Sequence, residues 1–94
     1  MTDEIKGKAL KEFLKNPYWK DIYENAPEKV KRLYEFSFAR AENLISADED
    51  KRATESLYKG FDDSDWDYLI KNTESNMAKW GYRQARVQYR KKEN

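Results

Sequence analysis

Apolar residues recur every three or four positions along the last third of the chain. The positions are Trp66, Leu69, Ile70, Thr73, Met77, Trp80, Gln84 and Val87, of which Thr73 and Gln84 are polar. Such spacing places side chains on one face of an α-helix, which turns by about 100° per residue. Asn72-Thr73, Ser75-Asn76 and Gly81 are weak points that would allow a bend or two separate helices. Because the pattern keeps its phase across them, it favours one helix from residue 65 to about residue 91.

Helical spacing extends through the rest of the chain, and the alternation typical of strands is absent. Asn16-Pro17 and Ala26-Pro27 are typical of places where one helix ends and the next begins. The expected upstream helices cover residues 3–15, 18–25, 27–47 and about 49–59. The sequence therefore predicts an all-α fold: a single helical domain over residues 1–94, built as a compact bundle of four to five helices with a long C-terminal helix.

Aromatic residues must supply much of the core of this chain. It has six Leu, four Ile and two Val, against seven Tyr, four Phe and three Trp. A large ring buries on the order of 150–250 Å², so the rings replace many missing aliphatic side chains. The helical spacing predicts an inner position for Trp19, Tyr23, Tyr34, Phe38, Trp66 and Trp80.

The composition removes most catalytic chemistry. The chain has no cysteine and no histidine, which excludes thiolate nucleophiles, imidazole acid–base catalysis and the commonest transition-metal ligands. Glycine-rich phosphate loops and nucleophile elbows are also absent. We therefore expect a protein that is not an enzyme and that uses no cofactor and no small-molecule substrate. Without a signal-peptide pattern or an apolar run of about 20 residues, we expect a cytoplasmic protein that does not enter a membrane.

A run of acids invites comparison with a calcium site. Asp63, Asp65 and Asp67 match the first three ligand positions of an EF-hand loop, but Tyr68 stands where that loop needs glycine. We therefore expect these acids to stabilise the first turn of a helix capped by Ser64, and no metal to bind.

Positive charge gathers on one side of the last helix. Lys79, Arg83, Arg86 and Arg90 fall within roughly 60° of one another, with Tyr82 and Tyr89 beside them. Residues 79–92 hold six bases and no acid, whereas residues 48–67 hold eight acids and three bases. Arginines interleaved with aromatic rings suit phosphates and bases, and they equally suit a protein partner with complementary charge.

Phe36 does not fit the inner face of the third helix. It lies roughly opposite that face, flanked by Arg32 and Arg40. Phenylalanine and arginine are common in interface cores, so Phe36 is either an interface anchor or a side chain covered by a neighbouring helix.

The sequence favours a non-enzymatic α-helical protein that acts as a protein–protein interaction or regulatory module. Its partner would be another protein or a second copy of the chain. The alternative is a nucleic-acid-binding protein that uses the basic face of the last helix. A formal net charge of only +1 favours the protein partner, because nucleic-acid-binding domains are generally basic overall.

Overall fold

A computed structural model of the chain describes residues 7–89, and within them it contains six α-helices and no strand. The helices are α1 Lys8–Phe13, α2 Pro17–Asn25, α3 Glu28–Ala41, α4 Ala47–Gly60, α5 Asp63–Lys71 and α6 Asn76–Tyr89. The prediction of an all-α fold is confirmed, although the described part alone has six helices rather than four or five. The expected start of the first helix at residue 3 and the predicted contact residue Arg90 lie outside the described residues.

Polar side chains fix where α2 and α4 begin. The Asn16 carboxamide accepts a hydrogen bond of 2.9 Å from the backbone N–H of Tyr18, and Pro17 is the first residue of α2. At α4 the Ser46 hydroxyl accepts from the N–H of Glu49 at 3.0 Å, while the Glu49 carboxylate accepts from the N–H of Ser46 at 2.9 Å. These caps satisfy donors that a helix start otherwise leaves without partners.

Helix α3 ends at Ala41, six residues before the predicted end at residue 47. Asn43 adopts a left-handed conformation with φ of 59°, which turns the chain away from the helix axis. The N–H of Leu44 then bonds back to the carbonyl of Ala39 at 2.9 Å, as in a Schellman motif. Asparagine tolerates this conformation better than most residues, so the helix stops here despite the apolar positions that follow.

The predicted long C-terminal helix is wrong, because residues 72–75 separate α5 from α6. Their side chains compete for the backbone: the Thr73 hydroxyl donates to the carbonyl of Leu69 at 2.6 Å. The Ser75 hydroxyl accepts from the N–H of Ala78 at 3.2 Å and so caps α6. Short polar side chains that bond to nearby backbone groups favour helix ends over helix interiors.

The core forms around α3, which packs against α1, α2, α4 and α5, while α6 packs on α4 and α5. Its centre is a set of buried apolar residues contributed by four segments: Ala26, Val30, Leu33, Phe61, Trp66 and Leu69. The Trp66 ring lies 4.7 Å from that of Phe61 and 5.0 Å from that of Tyr58. The inner positions predicted for Trp66 and Tyr23 are confirmed, and Trp19, Tyr34 and Phe38 are partly buried.

Among the described residues two charged ones are also buried, Asp65 near the start of α5 and Glu35 on α3. Glu35 on α3 is only 3% exposed, and its carboxylate accepts hydrogen bonds from the Tyr23 hydroxyl and, at 2.7 Å, from the Arg32 guanidinium. Burial and the bond to Glu35 raise the pKa of Tyr23 well above its ordinary value, so its hydroxyl remains a donor. The bond ties α2 to α3, and helical spacing alone gave no sign of it.

Candidate interaction surface

Helix α6 has two apolar faces. The face that packs against the core is not the one that the sequence pattern predicted to be buried. Tyr82, Ala85 and Tyr89 pack against the core, with the Tyr89 ring 5.5 Å from that of Tyr58 on α4. These positions, together with Ala78, are themselves spaced three or four apart. The signal for an inward tyrosine face was therefore present in the sequence, in competition with the stripe that contains Trp80.

The opposite side of α6 faces solvent. Met77 is 86% exposed, Trp80 is 64% exposed and Val87 is 76% exposed, with Gln84 exposed between them. We call these four residues the outer face of α6. The predicted core position of Trp80 is wrong, and the continuous stripe is divided: Trp66 and Leu69 are buried on α5, whereas the four stripe positions on α6 lie on the surface.

Arg86 joins α6 to α5 in this orientation. Its guanidinium donates to the carboxylates of Asp67 at 3.1 Å and Asp63 at 3.4 Å, both on α5. The arginine side chain is 28% exposed, whereas those of Asp63 and Asp67 are 60% and 68% exposed, so solvent screens both pairs in part. Part of the positive charge near the C-terminus therefore balances the acidic run within the fold.

The remaining predicted contact residues of α6 are divided between its two sides. Arg83 is exposed and Lys79 is partly buried, and both lie along one border of the outer face. The rings of Tyr82 and Tyr89 pack inward, and burial raises the pKa of Tyr82 above its ordinary value. The structure thus brings Lys79 and Arg83 together beside the outer face and places the two tyrosines on the inner side.

Phe36, the predicted interface anchor, lies on α3 rather than on α6. Its ring is partly buried, and the Arg32 guanidinium lies 4.9 Å from the ring centre. This cation–π contact gives the ring a favourable partner within the protein. A role of Phe36 in an interface stays a prediction.

The acidic run builds the start of α5. Asp62, two residues before the predicted cap Ser64, accepts from the N–H of Asp65 at 2.9 Å, and the Asp65 carboxylate accepts from the N–H of Asp62 at 3.0 Å. The bond from the Asp65 N–H, followed by that from the Ser64 hydroxyl, lowers the pKa of Asp62.

Within residues 7–89 no three acidic side chains are grouped so that they could hold a metal ion. None of the helices in this range combines the length and apolarity needed to cross a bilayer.

Comparisons of the chain with protein-family models, with curated proteins and with solved structures found no match. The function must therefore be inferred from the surfaces of the molecule itself.

Proposed function

We propose that this protein is a small non-enzymatic interaction module that binds a protein partner through the outer face of α6. The observation that supports the proposal is the exposure of Met77, Trp80 and Val87 on one side of a helix whose other side is held by the core. These residues span about 15 Å, or roughly three helical turns. Tryptophan is the residue type most enriched among those that dominate binding energy, and methionine adapts well to a partner surface.

The charges around this face favour an acidic partner. Arg83 and Lys79 border the outer face on one side, whereas the other side carries the uncharged Gly81 and Gln88. A partner with an apolar strip bordered by carboxylates would complement both properties. An antiparallel two-fold pair of α6 helices would instead bring the two Arg83 borders together, which like charges oppose. We therefore favour an acidic protein over a second copy of the chain as the partner that binds this face.

Nucleic-acid binding through the basic border is the alternative. Exposed Arg83 and the neighbouring Lys79 support it. The inward packing of Tyr82 and Tyr89 removes the rings that would stack on bases, and Arg86 pairs with acids of α5. Phosphate contacts would then carry the binding, so the affinity would fall steeply with salt.

The lack of cysteine and histidine supports a non-enzymatic role, and a cytoplasmic location remains our expectation from the sequence.

The test compares wild-type protein with Trp80→Ala, using Tyr18→Ala as a matched control because Tyr18 is an exposed aromatic residue on α2 (58% exposed). Proteins captured by each variant are identified, and the selected partner is purified for direct titration. We expect Trp80→Ala to weaken binding at least about tenfold, Arg83→Glu to weaken it and to reduce its salt dependence, and Tyr18→Ala to leave it unchanged.

Three results would contradict the proposal. One is a partner that binds wild type and Trp80→Ala equally well. Another is a concentration-dependent dimer that Trp80→Ala dissociates, which would identify a second copy as the occupant. The third is binding to mixed-sequence oligonucleotides that collapses between about 50 and 200 mM salt and depends on Arg83 but not on Trp80, which would establish the alternative.

A further inference from the structure

A pocket of about 220 Å³ opens between α1, α2, α3, α6 and the segment that joins α5 to α6. Aromatic rings from four helices line it: Phe13, Trp19, Tyr34, Phe38 and Tyr82. Two of the ring contacts are direct, since Phe13 stacks on Trp19 with centres 5.4 Å apart and tilts against Phe38 with centres 4.7 Å apart. The pocket is separate from the outer face of α6, because Tyr82 lines it from the inner side of that helix.

The pocket combines aromatic rings with a single kind of charge. Among its described lining residues, Glu74 is the one that carries a charge, and it is an exposed residue of the segment after α5. Burial, followed by the neighbouring Tyr68 and Tyr82 phenols, raises the pKa of Tyr34 above its ordinary value. Its hydroxyl therefore stays neutral at physiological pH, and the Glu74 carboxylate supplies the negative charge.

Ring faces and a carboxylate attract the same kind of ligand. The face of an aromatic ring carries negative potential, so it attracts a cation, and rings on several sides favour a quaternary ammonium group. Such a group has no N–H donors, so it can enter an aromatic pocket without leaving hydrogen bonds unsatisfied. A cavity of about 150 Å³ holds benzene, so this pocket has room for a trimethylammonium group and its first methylene groups.

We propose that this pocket binds a quaternary ammonium group, with the cation against the aromatic rings and Glu74 at the entrance. The group would belong either to a free small molecule such as choline or to a trimethylated lysine side chain, since both present the same chemistry. The sequence led us to expect protein or nucleic-acid partners and no small-molecule substrate, so this ligand class departs from that expectation. It does not depend on the interaction surface of α6.

The test is a titration of the whole chain with choline, followed by the NMR signals of the Trp19 indole and of the ligand methyl groups. The control ligand is the neutral isostere of choline, in which a tert-butyl group replaces the trimethylammonium group. We expect choline to bind with a dissociation constant of about 1 mM or tighter and at least about fivefold more tightly than the isostere. A parallel titration with an acetylated, amidated trimethyl-lysine identifies which source of the group binds more tightly.

Two variants separate charge from shape. Glu74→Gln should weaken choline binding about threefold or more and leave binding of the isostere unchanged, because only the charged ligand senses the carboxylate. Asp48→Asn, on the exposed start of α4 away from the pocket, should leave both affinities unchanged. The proposal would be overturned by equal affinity for choline and its isostere, or by an unchanged choline affinity in Glu74→Gln. It would also be overturned if the Trp19 signal did not saturate at choline concentrations several times the expected dissociation constant of about 1 mM.

Discussion

The two tryptophans of the C-terminal stripe test the orientation of α6 directly. Trp66 is 1% exposed, so Trp66→Ala removes essentially all of a buried ring. An area of about 150–250 Å² at about 25 cal/mol per Å² gives about 4–6 kcal/mol, close to the 3–5 kcal/mol typical of such substitutions. Trp80 is 64% exposed, so the same calculation gives at most about 2 kcal/mol. Its own helix provides part of that burial, and we therefore expect Trp80→Ala to cost about 1 kcal/mol.

Urea unfolding followed by circular dichroism measures both values, and thermal unfolding provides a second scale. For a domain of this size 1 kcal/mol shifts Tm by about 4–8 °C, so Trp66→Ala should lower Tm by roughly 12 °C or more, and Trp80→Ala by roughly 8 °C or less. A domain of this kind has only about 5–15 kcal/mol of stability, so Trp66→Ala should remove a large part of it.

Equal losses in the two variants would refute the reasoning. They would mean that Trp80 is buried, as the sequence pattern predicted. Helix α6 would then be rotated about its axis relative to this structure, and its outer face would not be exposed to solvent. The proposed interaction site would fall with that result, before any partner had been sought.

Three further substitutions test separate parts of the structure. Gly81→Ala should raise the free energy of unfolding by about 0.5–1 kcal/mol in urea titrations, because the new methyl group meets nothing within 4 Å and alanine is the better helix former. Hydrogen bonds from Ser46 lower the pKa of Glu49 below its ordinary value of 4.5, so this carboxylate stabilises the fold above that pH and the effect is lost as the pH falls through its folded pKa. Glu49→Gln should therefore lose less stability than wild type when acid unfolding is followed from about pH 5 to pH 3, and equal losses would contradict the capping role. Phe36→Ala should cost about 2 kcal/mol and leave Trp80-dependent binding intact, whereas lost binding with an unchanged Tm would make Phe36 an interface anchor.

Sequence signals that act locally predicted the start of α2, whereas α5 is capped by Asp62 rather than by Ser64 and the start of α6 was not predicted. Asn16-Pro17 starts α2 as expected, because the cap and the proline act on their own backbone within a few residues. The break at residues 72–75 was missed because the apolar stripe keeps its phase across it, and periodicity does not register side chains that bond to the backbone. The stop at Asn43 was missed for a similar reason, since one left-handed residue ends α3 while apolar residues continue beyond it.

The direction in which α6 faces depends on residues far away in the chain. Two sets of side chains on this helix have helical spacing, and only one of them can meet the core. The inward set matches what α4 and α5 offer: a ring contact with Tyr58 and carboxylates for Arg86. Periodicity weighs apolar character alone, so it favoured the stripe with Trp80 over tyrosines whose hydroxyls lower their apparent hydrophobicity. This difference between the predicted and the observed orientation of α6 identifies the candidate site. The sequence pattern predicts that the stripe with Trp80 is buried, but the fold leaves it exposed, so we expect a partner to cover it.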